Sequence, residues 1–397
     1  MKEEKIMILQ MLQDEKITPE EAISLLEALD EEDFDIPEFE EVHEEDHKTR
    51  LSNKTLEEIG IDIGNAFGNL FTNIKDIGSS IGINNLTETM ELDLEEDLSN
   101  ISSPIVDLKA VNGYIKLRRH EGDKVHINIF CRYKEGSHVP NRDFYKFYRE
   151  NNRLVFYPLY NSDISINLDV KLPKKLYDEI ILETNNSSIE AEDIQVNRLE
   201  CETKNSSIKI KKIEAKKLKV SSLNGRIEGN SLKIDNIQAI TTNSGIFFDE
   251  IESEDFSAHT ANGKIRLKDM TSHRITVKTS NASIEADNIS SKYVDLRTSN
   301  AKIVYHFFDV KEAKEIKLST SNGTIVSNLS EKNKEMYFDL ESSIGNIGLD
   351  YPNLIYKTNK QANFGLKKLE AYTPEYDNSD DGIRFTAYTS NGSIKIS

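Results

Sequence analysis

The sequence predicts a mainly β protein, a parallel β-solenoid with coils of about 19 residues preceded by a small α-helical N-terminal region. The first observation is a period. Asparagine recurs at Asn186, Asn205, Asn224, Asn243, Asn262, Asn281 and Asn300, each 19 residues after the last. A fixed spacing of that length marks one supersecondary unit stacked many times. The second observation is the pattern inside each unit. Three residues beyond each asparagine stands isoleucine, from Ile189 to Ile303, and the apolar positions that follow form period-two runs joined by corners, which is a strand signal. The third is that no unit contains the roughly 10 to 12 residues of 3.6-period pattern that a helix needs.

The elements follow in chain order. Within residues 1–30, Ile6, Leu9 and Leu12 space as a short amphipathic helix, and Asp14-Glu15-Lys16 reads as a turn. Thr18 then serves as N-cap, Pro19 takes the first helical position and Glu21 completes a capping box before Ala22, Ile23, Leu25, Leu26 and Leu29. A helical hairpin of this size buries little by itself, so it is expected to pack on a copy of itself or on another protein. Residues 31–50 are half Asp or Glu and read as a solvated linker. His43-Glu44-Glu45-Asp46-His47 inside it matches the spacing of zinc hydrolases. That chemistry requires both histidines on a buried helix with a third ligand, and the stretch has almost no apolar periodicity, so no metal is assigned.

Residues 51–84 carry the stripe of an amphipathic helix: Leu56, Ile59, Ile63, Phe67, Leu70, Ile74, Ile77 and Ile81 recur at three and four residues. Gly60, Gly64, Gly68 and Gly78 weaken its intrinsic helicity, so it is stable only when the stripe is covered. A partner helix, a membrane interface or the open end of the solenoid would each cover it, and Ile59, Ile63, Phe67, Leu70, Ile74 and Ile77 are the candidate contact residues. Lys54 and Lys75 are outnumbered by Glu57, Glu58, Asp62 and Asp76, which argues against attraction to anionic lipid. Residues 85–105 read as a second linker.

The solenoid is expected over 106–397. A meander of hairpins would place a two-residue turn at each asparagine and would demand glycine after it. Ser206, Ser244, Ala282 and Ala301 occupy that place as readily as Gly225 and Gly263, which favours the coil. Charges of opposite sign fall on successive units, as in Glu190, Lys209 and Glu228 or Glu192 and Lys211, and would sit side by side in a stack. Further on the period loosens. Asn322 follows Asn300 by 22 residues, Ser342 to Ile347 repeats the pattern with isoleucine in the asparagine place, and Thr389 to Ile394 closes the chain. Asn112-Gly113-Tyr114-Ile115 is an early copy, and residues 134–153 and 354–388 read as insertions.

Composition narrows the function. Residues 1–105 hold 28 acids against 7 bases and the remainder 41 against 43, so the acidity belongs to the N-terminal quarter and no basic footprint for nucleic acid exists. Two distant cysteines, Cys131 and Cys201, make no disulfide framework. Met1-Lys2-Glu3-Glu4-Lys5 opens no export signal and no apolar run reaches the length of a membrane span, so a cytoplasmic location is expected.

No catalytic residue and no cofactor is assigned, because paired carboxylates, a Ser-His-Asp set and a phosphate loop are lacking in suitable context. A β-helix carbohydrate-active enzyme would need acids and bases gathered beside a groove, whereas the coil charges alternate. The asparagine column reads as a structural ladder, since asparagine tolerates left-handed backbone and stacked amides bond one another. Phe144, Tyr145, Phe147, Tyr148, Phe156, Tyr157 and Tyr160, interleaved with Arg142, Lys146, Arg149 and Arg153, read as a plug over a sheet end, or else as a cation-π ligand surface.

Two segments carry a family resemblance. Val170-Lys171-Leu172-Pro173-Lys174-Lys175 ahead of Thr184-Asn185-Asn186-Ser187-Ser188-Ile189, with the recurring T-x-N-[GSA]-x-I motif, resembles the YvlB-like bacterial "putative adhesin" family of unknown function. Lys16-Ile17-Thr18-Pro19-Glu20-Glu21-Ala22 with Leu25-Leu26 resembles the SHOCT-like helical hairpin that often precedes that domain. The resemblance implies a right-handed β-helix and a role near the bacterial envelope among membrane-stress proteins. It brings no catalytic residues. The expectation is therefore a cytoplasmic scaffold, peripheral at the inner membrane face, whose residues 1–84 mediate self-association or capture a protein partner. A regulator that sequesters a stress-response protein through the same helices is the alternative.

Overall fold

Each coil begins at the isoleucine three residues past its asparagine, because there the backbone leaves the corner and an apolar side chain turns inward. The computed structural model describes residues 86–136, 144–307, 312–329, 334–360, 365–376 and 382–397, which are strands joined by turns and short connections, with no α-helix among the described residues. The hairpin expected over 1–30, the linker 31–50 and the stripe of 51–84 lie outside the described residues. The chain first forms β1 (Glu88–Asp97), β2 (Ile105–Lys109), β3 (Ile115–His120), β4 (Lys124–Tyr133), β5 (Tyr145–Glu150), β6 (Arg153–Pro158), β7 (Ile164–Pro173) and β8 (Leu176–Thr184). Six long strands follow: β9 (Ile189–Thr203), β10 (Ile208–Ser222), β11 (Ile227–Thr241), β12 (Ile246–Thr260), β13 (Ile265–Thr279) and β14 (Ile284–Arg297). The last are β15 (Ile303–Phe307), β16 (Glu315–Thr320), β17 (Ile325–Asn328), β18 (Met336–Ser342), β19 (Ile347–Leu349), β20 (Ile355–Lys360), β21 (Lys367–Tyr372), β22 (Ile383–Thr389) and β23 (Ile394–Ile396).

From β9 to β14 the strands stack in parallel with equivalent residues paired: Ile208 lies between Ile189 and Ile227, and Leu218 between Leu199 and Ile237. This is a β-solenoid. Each coil has three flanks, made in β9 by residues 189–192, 194–196 and 199–203, and all three turn apolar side chains to one axis. Size alternates along that axis. Phe248 sits against Gly229, where a Cβ would stand 2.4 Å from its ring, and meets Phe256 edge to face at 5.1 Å. Each fully buried Ile, Leu or Phe contributes about 1.5–3 kcal/mol, so the axial ladders supply most of the stability.

The bend between the first and second flanks is left-handed. Asp193, Lys212, Ser231, Glu250, Asp269 and Asn288 have φ between 48° and 60°. Left-handed backbone was expected at the asparagine column, but from Asn186 to Asn300 those residues are not left-handed, and of the whole column only Asn112 is, at φ 50°.

Both ends are closed by antiparallel strands. On the first flank β3 is followed outward by β7, then β4, then β1, and on the third flank β2 is followed by β6 and β5. Residues 85–105, read as a linker, therefore hold a ten-residue strand. Its Met90, Leu92 and Leu94 alternate inward against the core while acids fill the places between them. The insertions likewise contain paired strands, β5 in the first and β20 with β21 in the second. At the far end the coils are not in chain order. β22 and β23, the last strands of the chain, lie between β16–β17 and β18–β19, so the coil of residues 336–349 stacks outside the terminal one.

Candidate functional surfaces

The asparagine column is one continuous hydrogen-bonded chain. Asn205 Nδ2 donates to Asn186 Oδ1 at 2.7 Å, and the same bond recurs through Asn224, Asn243, Asn262, Asn281 and Asn300 at 2.7–2.8 Å. It extends to Asn112 at one end and through Asn322 to Asn391 at the other, at 2.6–2.8 Å. Every amide points the same way. The carboxamides are thus donors and acceptors to one another along the axis.

Beside it runs a second column. The hydroxyl that ends each coil donates to a carbonyl of the preceding corner: Thr241 Oγ1 to Gly225 O at 3.1 Å, Thr260 Oγ1 to Ser244 O at 3.0 Å and Thr279 Oγ1 to Gly263 O at 3.1 Å. These hydroxyls are buried, and the bonds tie each corner to the next. Corners with glycine differ from corners with serine or alanine. At Gly263 a Cβ would stand 1.6 Å from Ser244 O, and the glycine N–H donates to Thr260 Oγ1 at 3.1 Å. Gly225 and Gly323 repeat both features.

Outward charges pair from coil to coil. Lys211 reaches Glu192 at 3.2 Å, Lys219 reaches Glu200 at 2.5 Å, Lys233 reaches Glu252 at 3.2 Å and Arg266 reaches Glu285 at 3.1 Å. Most are well exposed, so each is worth about 0–1 kcal/mol and fixes register more than stability. One column breaks the alternation. Glu202 stacks in register on Glu183, and burial, reinforced by Glu183, pushes its carboxyl up to about 7.

An open groove of about 610 Å³ follows the left-handed bend, lined among others by Lys212, Glu214, Lys233, Glu250 and Glu252. Charges of both signs meet there, and among the described residues no group of three His, Cys, Asp or Glu is placed to hold a metal ion. Cys131 and Cys201 are unbonded and buried, and burial pushes the Cys131 thiol up to about 12, far from the thiolate that reactive cysteines need.

The aromatic cluster covers the N-terminal end. Phe144 and Phe156 are buried, Tyr145 stacks on Phe156 at 5.3 Å, and Tyr148 and Tyr160 remain exposed. Its described arginines turn to acids: Arg149 meets Glu96 at 3.2 Å and Arg153 meets Asp107 at 2.5 Å. Of the candidate contact residues, Ile59, Ile63, Phe67, Leu70, Ile74 and Ile77 lie outside the described residues. Sequence reasoning missed Glu202 and the left-handed bend. Two glutamates 19 residues apart, Glu183 and Glu202, were the available signal for the first.

A SHOCT-like domain matches residues 3–33. The fold resembles a "putative adhesin" from Bacteroides fragilis (13% identity over 56% of this chain and 99% of that one, TM-score 0.36). It also resembles a "putative adhesin" from Parabacteroides merdae (11% identity, 81% and 100%, TM-score 0.40). A third likeness is to a "putative lipid binding protein" from Parabacteroides distasonis (12% identity, 80% and 100%, TM-score 0.35). No curated protein matches the chain. The Toastrack DUF4097 model matches residues 146–248 and again 224–397, together more than half of the sequence, and the chain belongs to that family.

Proposed function

We propose that the protein is a non-enzymatic scaffold, a rigid solenoid that holds an N-terminal helical module for a protein partner at the inner face of the cell membrane during envelope stress. The observation that supports it most is that the repeat uses its own functional groups internally. Amides bond amides, hydroxyls bond corner carbonyls and charges pair between coils. A surface built this way offers stiffness and length, while the SHOCT-like match of residues 3–33 supplies a module small enough to need a partner. The envelope setting rests on the family resemblance.

Fractionation of the native protein before and after envelope damage tests the location, and pull-down from the same cells tests the module. The scaffold reading expects a membrane-associated pool and a partner set that both disappear when Leu25 and Leu26 are changed to aspartate. A wholly soluble protein under both conditions removes the membrane part of the reading. An unchanged partner set in the variant removes the module.

A further inference from the structure

β1 is the outermost strand of the first flank at the N-terminal end, and among the described residues only β4 pairs with it. Its other edge presents every second backbone N–H and C=O away from β4. Sheets defend such edges by shortness, lysine, proline or a bulge. Other outermost strands of this molecule do so. β5 and β20 are six residues long; β5 carries Lys146 and Arg149, and β20 carries Lys357 and Lys360 with a register shift between Tyr356 and Thr358. β1 has none of these devices. It runs for ten residues, keeps one register with β4 throughout and contains no Lys, Arg, Pro or Gly.

The side chains of β1 sort by face. Met90, Leu92 and Leu94 turn toward the core yet stay only half-buried, while Glu91, Asp93, Glu95 and Asp97 are exposed on the other face. The one neighbour β1 has among the described residues shows what suits it. In β4, Val125, Ile127 and Ile129 are buried beside the apolar row, and the outward residues between them are hydrogen-bond donors. Asn128 Nδ2 donates to Glu91 Oε1 at 2.9 Å and to Asp93 Oδ1 at 3.0 Å, and Lys124 Nζ donates to Glu95 Oε2 at 3.0 Å. Carboxylates accept several such bonds, so the same acids can serve a strand on their other side.

We infer that the outer edge of β1 is a strand-addition site for an extended segment of another protein in which basic and apolar residues alternate. The edge supplies main-chain hydrogen bonds, and the side chains of the added strand supply the choice of partner. Its apolar residues cover what Met90, Leu92 and Leu94 still expose, and its lysines or arginines face Glu91, Asp93 and Glu95. A second copy is the wrong occupant, because β1 laid against β1 sets acids against acids. This surface belongs to the solenoid and stands apart from the N-terminal module of the proposed function.

The test uses the full chain and two peptides as long as β1, one alternating lysine with valine and one alternating glutamate with valine. Hydrogen exchange of the free protein is expected to leave every second amide of β1 unprotected, and the lysine peptide is expected to slow those amides at least about tenfold. Its binding is expected to weaken as salt rises. Glu91→Lys with Asp93→Lys is expected to weaken the lysine peptide about tenfold and to admit the glutamate peptide, while β9 to β14 exchange as before. A lysine peptide that binds without protecting β1 is held by charge alone and overturns the inference. Outer amides already protected in the free chain, equal binding of the two peptides to the unaltered protein, or no binding of the lysine peptide overturn it as well. The two peptides on the unaltered protein decide the matter even where the double variant disturbs β1.

Discussion

Gly263 and Ala282 hold the same place in consecutive coils and are not interchangeable. The glycine corner is drawn in until its backbone leaves no room for a Cβ beside Ser244 O, and its N–H reaches Thr260 Oγ1. Gly263→Ala must push the corner outward and surrender that bond, so a loss of about 1–3 kcal/mol is expected. Ala282→Gly costs only the entropy of a freer unfolded chain, about 0.5–1 kcal/mol. Urea midpoints at constant m separate the two. Glu202 gives a second test, with the sign set by its raised carboxyl. The folded state binds the proton more tightly than the unfolded chain, so stability is greatest below the ordinary value of 4.5 and declines as pH rises through about 7. Glu202→Gln is expected to leave the melting temperature unchanged near about pH 4 and to raise it near about pH 8. A gain of equal size at both pH values would show that the carboxylate charge is not the cause.

At the scale of the element, the ladder is a row of equal links with two ends. Asn243 donates to Asn224 and accepts from Asn262, whereas Asn391 donates to Asn322 at the last link, beyond which Ile344 takes the asparagine place. Asn243→Ala is expected to cost about 1–2 kcal/mol and Asn391→Ala about half of that. Equal losses in chemical denaturation would mean that the amides act singly. This column was legible in the sequence because one residue type performs one task at a fixed interval. The left-handed bend was not, although it recurs as faithfully. Asp193, Lys212, Ser231 and Glu250 share no side-chain chemistry, and the constraint falls on backbone that the neighbouring coils already fix. β1 was hidden for another reason. An edge strand facing water on one side needs only Met90, Leu92 and Leu94, and the acids around them resemble a linker.

For the whole molecule, a period read along the chain gives the number of coils and not their order once an insertion intervenes. After β19 the chain builds the hairpin of β20 and β21, then returns to lay β22 and β23 inside the coil it made before. The last strands of the sequence are therefore an interior layer. Ile383, Phe385, Ile394 and Ile396 are buried, each contributing about 1.5–3 kcal/mol. Their backbone also bridges two neighbours, since Phe385 pairs with Ile316 on one side and Phe338 on the other. Removing residues 382–397 leaves β16 and β18 facing a gap one strand wide, whereas trimming an outermost coil uncovers a single face. In a stack where each coil is stabilised by its neighbours, such a gap uncouples everything beyond it. Hydrogen exchange of the truncated chain should show β18, β19 and β21 losing protection together while β9 to β14 keep theirs. Protection retained in β18 would mean that it has closed directly onto β16, and that the returning strand is replaceable.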